Sequence, residues 1–117
     1  TSNICSNESL MALYVTIYMS LMGAEGLRKV NELSACGAHY LHDRLLATGK
    51  FEEVFTAPFL KEFVLKPLVP VEKLQNALLD AGMFGALETE EGYVSFCVTE
   101  KRSKADIDAL VAAVEAL

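Results

Sequence analysis

At 117 residues the chain is long enough for one compact core and too short for two ordinary domains. Hydrophobic residues make up 52% and charged residues 22%, the apolar end of the globular class, so the chain is expected to bury surface against something beyond itself. The net charge of -6, with lysines and arginines scattered, offers no basic patch for nucleic acid, and three widely spaced cysteines fit a reducing cytoplasm rather than a disulfide framework.

The opening Thr1-Ser2-Asn3-Ile4-Cys5-Ser6-Asn7 has neither the charged nor the apolar region of a secretion signal, and it is expected to continue from upstream polypeptide. Its hydroxyl and amide side chains precede a helix, where the first N–H groups and the dipole favour an anion. Ordinary N-capping by Ser6 or Asn7 explains them as well. From Asn7 to Met22 nearly every helical face is apolar, the pattern of a helix surrounded by protein. The apolar run Leu10–Met22 is thirteen residues, interrupted by Thr16 and Ser20. A bilayer takes about twenty, so a buried helix and no membrane partner are predicted.

Gly23-Ala24-Glu25-Gly26 breaks this helix. From Glu25 to Ala47, Leu27, Val30, Gly37, Ala38, Leu41 and Leu45 share one stripe, predicting a long amphipathic helix that ends near Gly49. Two strands follow, Phe51 to Thr56 and Glu62 to Lys66, around a turn at Pro58. Pro67 and Pro70 close the second strand, and Val71, Leu74 and Leu78 mark a helix stopping at Gly82, with a Gly-containing loop after it. Tyr93 to Val98 alternates, with Val94, Phe96 and Val98 toward the core. Ser103, three residues before Asp106, caps the last helix, whose stripe is Ile107, Leu110, Val111, Val114 and Leu117. The fold class is therefore α+β, with a three-stranded antiparallel sheet carrying helices on one face and the third strand beside the first.

Chemistry is sparse. Cys36, His39 and His42 recur every three residues on the long helix, but each step turns the side chain back by about 60°, so no converging ligand set and no metal site is expected. His39 or His42 with Asp43 makes no triad, because neighbours along one helix do not converge. Gly82-Met83-Phe84-Gly85 reads as a helix terminus and turn rather than a phosphate loop. A Schiff-base lysine needs a partly desolvated amine. Lys29, Lys50, Lys61, Lys66, Lys73, Lys101 and Lys104 all lie in contexts that suggest solvated amines, so no catalytic residue is assigned.

Thr1 to Asn7 followed by Leu10-Met11-Ala12-Leu13, then Ala38-His39-Tyr40, Glu62-Phe63-Val64 and Val98-Thr99-Glu100-Lys101-Arg102-Ser103, occur in an order that resembles the C-terminal domain of the glycine dehydrogenase (decarboxylating) subunit 1 family, the P protein of the glycine cleavage system. The likeness spans nearly the whole chain, although Ala86 to Tyr93 is shorter than the corresponding loop in much of that family. The resemblance implies the small C-terminal domain of a fold-type-I pyridoxal-phosphate-dependent transferase, with residues 1–47 as linking helices, 48–117 as the domain proper, and a large domain ahead of both. It implies an oxidoreductase complex that decarboxylates glycine on pyridoxal phosphate and passes the aminomethyl group to the lipoyl-bearing H protein, with the Schiff-base lysine on subunit 2. It also makes Thr1, Ser2 and Asn3 the residues expected near the cofactor phosphate or the subunit interface. Two alternatives remain at this stage: a freestanding small-ligand-binding or interaction module, and the small domain of another pyridoxal-phosphate enzyme such as an aminotransferase.

Overall fold

A computed structural model describes residues 8–117. Helix α1 runs Ser9–Ala47, followed by β1 (Phe51–Glu53), β2 (Glu62–Pro67), α2 (Val71–Asp80), β3 (Leu87–Glu88), β4 (Val94–Cys97) and α3 (Lys104–Glu115). The two helices expected at the start are both present: Gly23, whose φ of 62° and ψ of -179° are not helical, divides α1 into two helical segments. That backbone region is essentially open to glycine alone, which is why the break falls there.

The sheet is antiparallel throughout, in the order β1-β2-β4-β3. This corrects the sequence reading twice. There are four strands, not three, and β4 lies beside β2 rather than beside β1. Phe63 faces Phe96 and Leu65 faces Val94, so the β2–β4 register puts four large apolar side chains on the covered face. The extra strand β3 is only two residues long and shows no apolar alternation. It is held by a hairpin in which Thr89 N–H donates to Tyr93 O, Gly92 N–H donates to Thr89 O, and Gly92 takes a φ of 78°. The first predicted strand is also shorter than expected, because residues 54–61 leave the ladder as a strap over α1.

The helices cover one face. Ala38, Leu41 and Leu45 of α1, Leu74 and Leu78 of α2, and Ile107, Val111 and Val114 of α3 meet Phe51, Phe63, Leu65, Val94, Phe96 and Val98 of the sheet side. Each helix end follows local chemistry. Ser103 and Asp106 form a reciprocal capping box. Gly82 (φ 75°) ends α2 in a Schellman turn, with Gly82 N–H donating to Leu79 O and Met83 N–H to Leu78 O. Gly37 lets α1 approach the sheet closely, since a Cβ there would stand 2.8 Å from Val98 Cγ1.

Before Ser34 no residue of α1 is buried, and the helix projects from the domain as an arm. The radius of gyration, 17.6 Å, exceeds the value of about 13 Å for a compact chain of this length. Among the described residues nothing buries the first helix, which was expected to need an additional partner surface.

Candidate functional site

The arm is the feature with the largest unmet requirement. Leu10 (76% exposed), Tyr14 (65%) and Leu21 (81%) share one side, and Met11, Val15, Tyr18 and Met19 continue the apolar surface around the helix, each at least 39% exposed. Only the line Ala12, Thr16 and Ser20 is small and polar. There the Thr16 hydroxyl donates to Ala12 O (2.8 Å) and the Ser20 hydroxyl to Thr16 O (2.7 Å). Both hydroxyls are satisfied within the helix, so this line tolerates burial as well as the apolar sides do.

By length and composition α1 is apolar enough to cross a membrane, with a mean hydropathy of 1.4 over its most apolar stretch. The bend at Gly23 limits the straight part of the described helix. The straight part, Ser9 to Met22, is about 21 Å long at 1.5 Å per residue, against about 30 Å of hydrocarbon. Beyond Gly23 come Glu25, Arg28, Lys29 and Glu32. Arg28 donates to both Glu25 and Glu32, and these two carboxylates hold its guanidinium above its ordinary pKa.

A polar lock fixes the other end of α1. Tyr40 Oη donates to Asp108 Oδ1 (2.7 Å), while Arg44 donates to Tyr40 Oη (2.9 Å) and to Asp108 Oδ1 (3.2 Å). Lys104 donates to Asp108 Oδ2 (2.5 Å), and its Nζ lies 4.9 Å from the Tyr40 ring centroid. Hydrogen bonds from Lys104 and then Tyr40 hold the Asp108 carboxyl below its ordinary pKa, and the Tyr40 contact holds Arg44 above its own. This network ties α1 to α3 and so sets the direction from which the arm departs. Sequence patterning had paired neither Tyr40 nor Arg44 with Asp108. The only signal was Tyr40 and Arg44 four residues apart on one helix.

The helix-borne triplet is placed apart. Cys36 is exposed, His39 stacks on Phe59 (centroids 4.1 Å apart) and its Nε2–H donates to Phe59 O (3.1 Å). His42 is buried between Phe59 and Phe63, with Nδ1–H directed at Asp43 Oδ1 (3.2 Å). The two histidines therefore pin the 54–61 strap to α1. Among the described residues no group of His, Cys, Asp and Glu is arranged to hold a metal.

No lysine fits a Schiff-base role. None of the seven is buried. Glu52 raises the pKa of Lys66, and Asp108 raises that of Lys104, the direction opposite to a nucleophilic amine. Thr1, Ser2 and Asn3, expected near a phosphate or an interface, lie outside the described residues.

The profile of the family described as glycine cleavage system P-protein matches residues 1–114. A relative from Chlorobium chlorochromatii (strain CaD3), a probable glycine dehydrogenase (decarboxylating) subunit 1, is 42% identical, covering 100% of this chain and 27% of the relative. One of the same description from Brevibacillus brevis is 41% identical, again over 100% of this chain and 27% of the relative. The crystal structure of an inhibitor-bound glycine decarboxylase (P-protein) of the glycine cleavage system superposes with a TM-score of 0.89 and 34% identity, covering 98% of this chain and 27% of that one. The chain spans 27% of the length of these proteins, and the likeness extends over the arm as well as the domain.

Proposed function

Because this chain belongs to the glycine cleavage system P-protein family, we propose that it is the C-terminal small domain of a glycine dehydrogenase (decarboxylating) subunit 1, contributing scaffold and interface to the complex rather than reacting groups. The observation that carries this reading is the exposed apolar arm. It keeps the same disposition, to a TM-score of 0.89 over 98% of the chain, in a protein nearly four times longer. In this reading residues 1–47 link the domain to the large domain of its own subunit, which encloses the arm, and residues 48–117 form the small domain.

The intact oxidoreductase decarboxylates glycine with pyridoxal phosphate, which supplies the electron sink, and transfers the aminomethyl group to the lipoyl group of the H protein. The Schiff-base lysine belongs to subunit 2, in keeping with the solvated lysines found here. Thr1, Ser2 and Asn3, just ahead of the arm, offer hydroxyl and amide groups to the cofactor phosphate or to the subunit interface. The complex works in the cytoplasm, where Cys36 and Cys97 stay as free thiols.

The test joins the chain to its natural upstream sequence and co-purifies it with subunit 2, then follows glycine-dependent exchange of labelled carbon dioxide. Exchange is expected only with both subunits present. A 117-residue chain that is stably monomeric by itself, with no loss of exchange when it is omitted from the longer subunit, would refute the proposal.

A further inference from the structure

The connection from α2 to β3 is fixed in place and still displays apolar side chains to solvent. Leu79 is 55% exposed, Phe84 89% and Leu87 63%, three large apolar groups within residues 79–87. Phe84 is held from both sides. Before it, Gly82 N–H donates to Leu79 O and Met83 N–H to Leu78 O (2.8 Å each), and after it Gln75 Nε2–H donates to Ala86 O (3.0 Å). Ala86 takes a left-handed φ of 55°, unfavourable for a residue with a Cβ, and it is fully buried, so the connection follows one defined path. A strained, buried anchor thus holds a phenylalanine outward as a fixed knob.

The charge around the knob has one sign. From residue 74 to residue 100 the chain carries Asp80, Glu88, Glu90, Glu91 and Glu100 and no Lys, Arg or His. None of these carboxylates has an ion pair among the described residues, whereas Glu25, Glu32, Glu52 and Asp108 all do. The C-terminal end of α2 adds to the negative field, because its last turn holds no basic residue. An apolar knob among unpaired carboxylates complements an apolar socket rimmed with cations, and it disfavours nucleic acid and anionic lipid.

Area decides which polypeptide carries the socket. A buried phenylalanine hides about 150–250 Å². Phe84 with Leu79 and Leu87 therefore falls short of the roughly 800 Å² per partner typical of a separate, stable complex. A partner tethered in the same chain needs less, because the linkage supplies a high effective concentration. The relatives have the length for it, since this chain covers 27% of each of them. We propose that Phe84 and the acidic connection around it dock the small domain onto upstream polypeptide of its own subunit, Phe84 entering an apolar socket rimmed with lysine or arginine. This rests on the reading of the chain as the small domain of a longer subunit, and it adds a contact separate from the arm.

The test uses that longer subunit co-purified with subunit 2, with a photoreactive benzophenone side chain placed at Phe84 or, separately, at Leu13. Irradiation is expected to join Phe84 to an upstream peptide of the same subunit that holds lysine or arginine. The yield should fall by at least about threefold as salt rises from about 0.01 M to about 1 M, over which the Debye length shrinks from about 30 Å to about 3 Å. Glu88→Gln with Glu90→Gln and Glu91→Gln should lower the low-salt yield by a similar factor. The Leu13 probe reads the enclosure of the arm. If it reaches no upstream polypeptide while Phe84 crosslinks as expected, the enclosed arm is refuted and the knob stands. A Leu13 crosslink with Phe84 silent overturns the knob alone. So do crosslinks from Phe84 to subunit 2 or to a second copy, or a yield indifferent to both salt and the triple change.

Discussion

Replacing Gly37 by alanine sets two effects of opposite sign against each other. Alanine is favoured over glycine in a helix interior by about 1 kcal/mol, so an exposed site would gain stability. At Gly37 the new Cβ would stand 2.8 Å from Val98 Cγ1 and 3.5 Å from Ile107 Cδ1. Val98 is poorly placed to give way. It is 2% exposed, its χ1 is restricted by β-branching, and its N–H donates to Lys61 O at 2.9 Å. With so little room to give, overpacking here should cost about 2–3 kcal/mol, the upper part of the usual range, which outweighs the helix gain and leaves a net loss of roughly 1–2 kcal/mol. With a urea slope of about 1.5 kcal/mol/M, the unfolding midpoint should fall by about 1 M. Val98→Ala removes the atom that is struck, so in a double-mutant cycle the two changes should couple by at least about 1 kcal/mol, the second rescuing part of the first. A rise in the Gly37→Ala midpoint, or purely additive changes, would show that α1 does not approach β4 this closely.

Gly23→Ala should act on direction rather than on packing, since no atom lies within 4 Å of the added Cβ. The strained backbone costs about 1–3 kcal/mol, relieved if the arm straightens, so spin-label distances between position 13 and the domain should change while the cooperative unfolding of the core does not. Leu13→Ser with Ile17→Ser should shift the isolated chain toward monomer in sedimentation, because the double change breaks the exposed apolar surface. The same pair should weaken docking in the longer subunit by roughly 1.5–3 kcal/mol for each side chain buried there. For acid sensitivity, Asp108 and Asp106 both have lowered folded pKa values. Their stabilisation is therefore complete above the ordinary carboxylate range and is lost as pH falls through it toward the depressed values. Asp108→Asn should flatten that acid limb in pH-dependent denaturation, and an unchanged limb would remove the lock from the account.

Periodicity read the domain core well because burial leaves a strong imprint on it. Val94, Phe96 and Val98 alternate toward the helices, and Leu74, Leu78, Ile107, Val111 and Val114 lie on the stripes expected of them. What escaped it was short or cooperative. Leu87–Glu88 is too brief for alternation to register, and its pairing depends on a hairpin closed by Thr89 and Gly92. Strand order depends on which neighbour buries Phe63 and Phe96 together, a tertiary choice that no single strand encodes. The Tyr40–Asp108 contact joins residues 68 positions apart. As for the candidate site, the sequence showed the arm as over-apolar, and among the described residues nothing covers it.

The placement of the bend gives this arm a mechanical meaning. Between Gly23 and the Tyr40–Arg44–Asp108 lock, α1 carries Arg28 bridged to Glu25 and Glu32, pairs one turn apart that stiffen an exposed helix. Stiffness there is useful only if the orientation at each end is fixed. The lock fixes one end through α3, and a backbone conformation reserved for glycine fixes the other. A flexible linker would leave the small domain free to reorient, whereas a rigid strut with one defined bend transmits the position of whatever encloses Leu10–Met22 to the sheet. If the arm is enclosed as proposed, the sheet side of the domain moves as one body with that enclosure, and substitutions in the lock should alter interface geometry without touching a reacting atom.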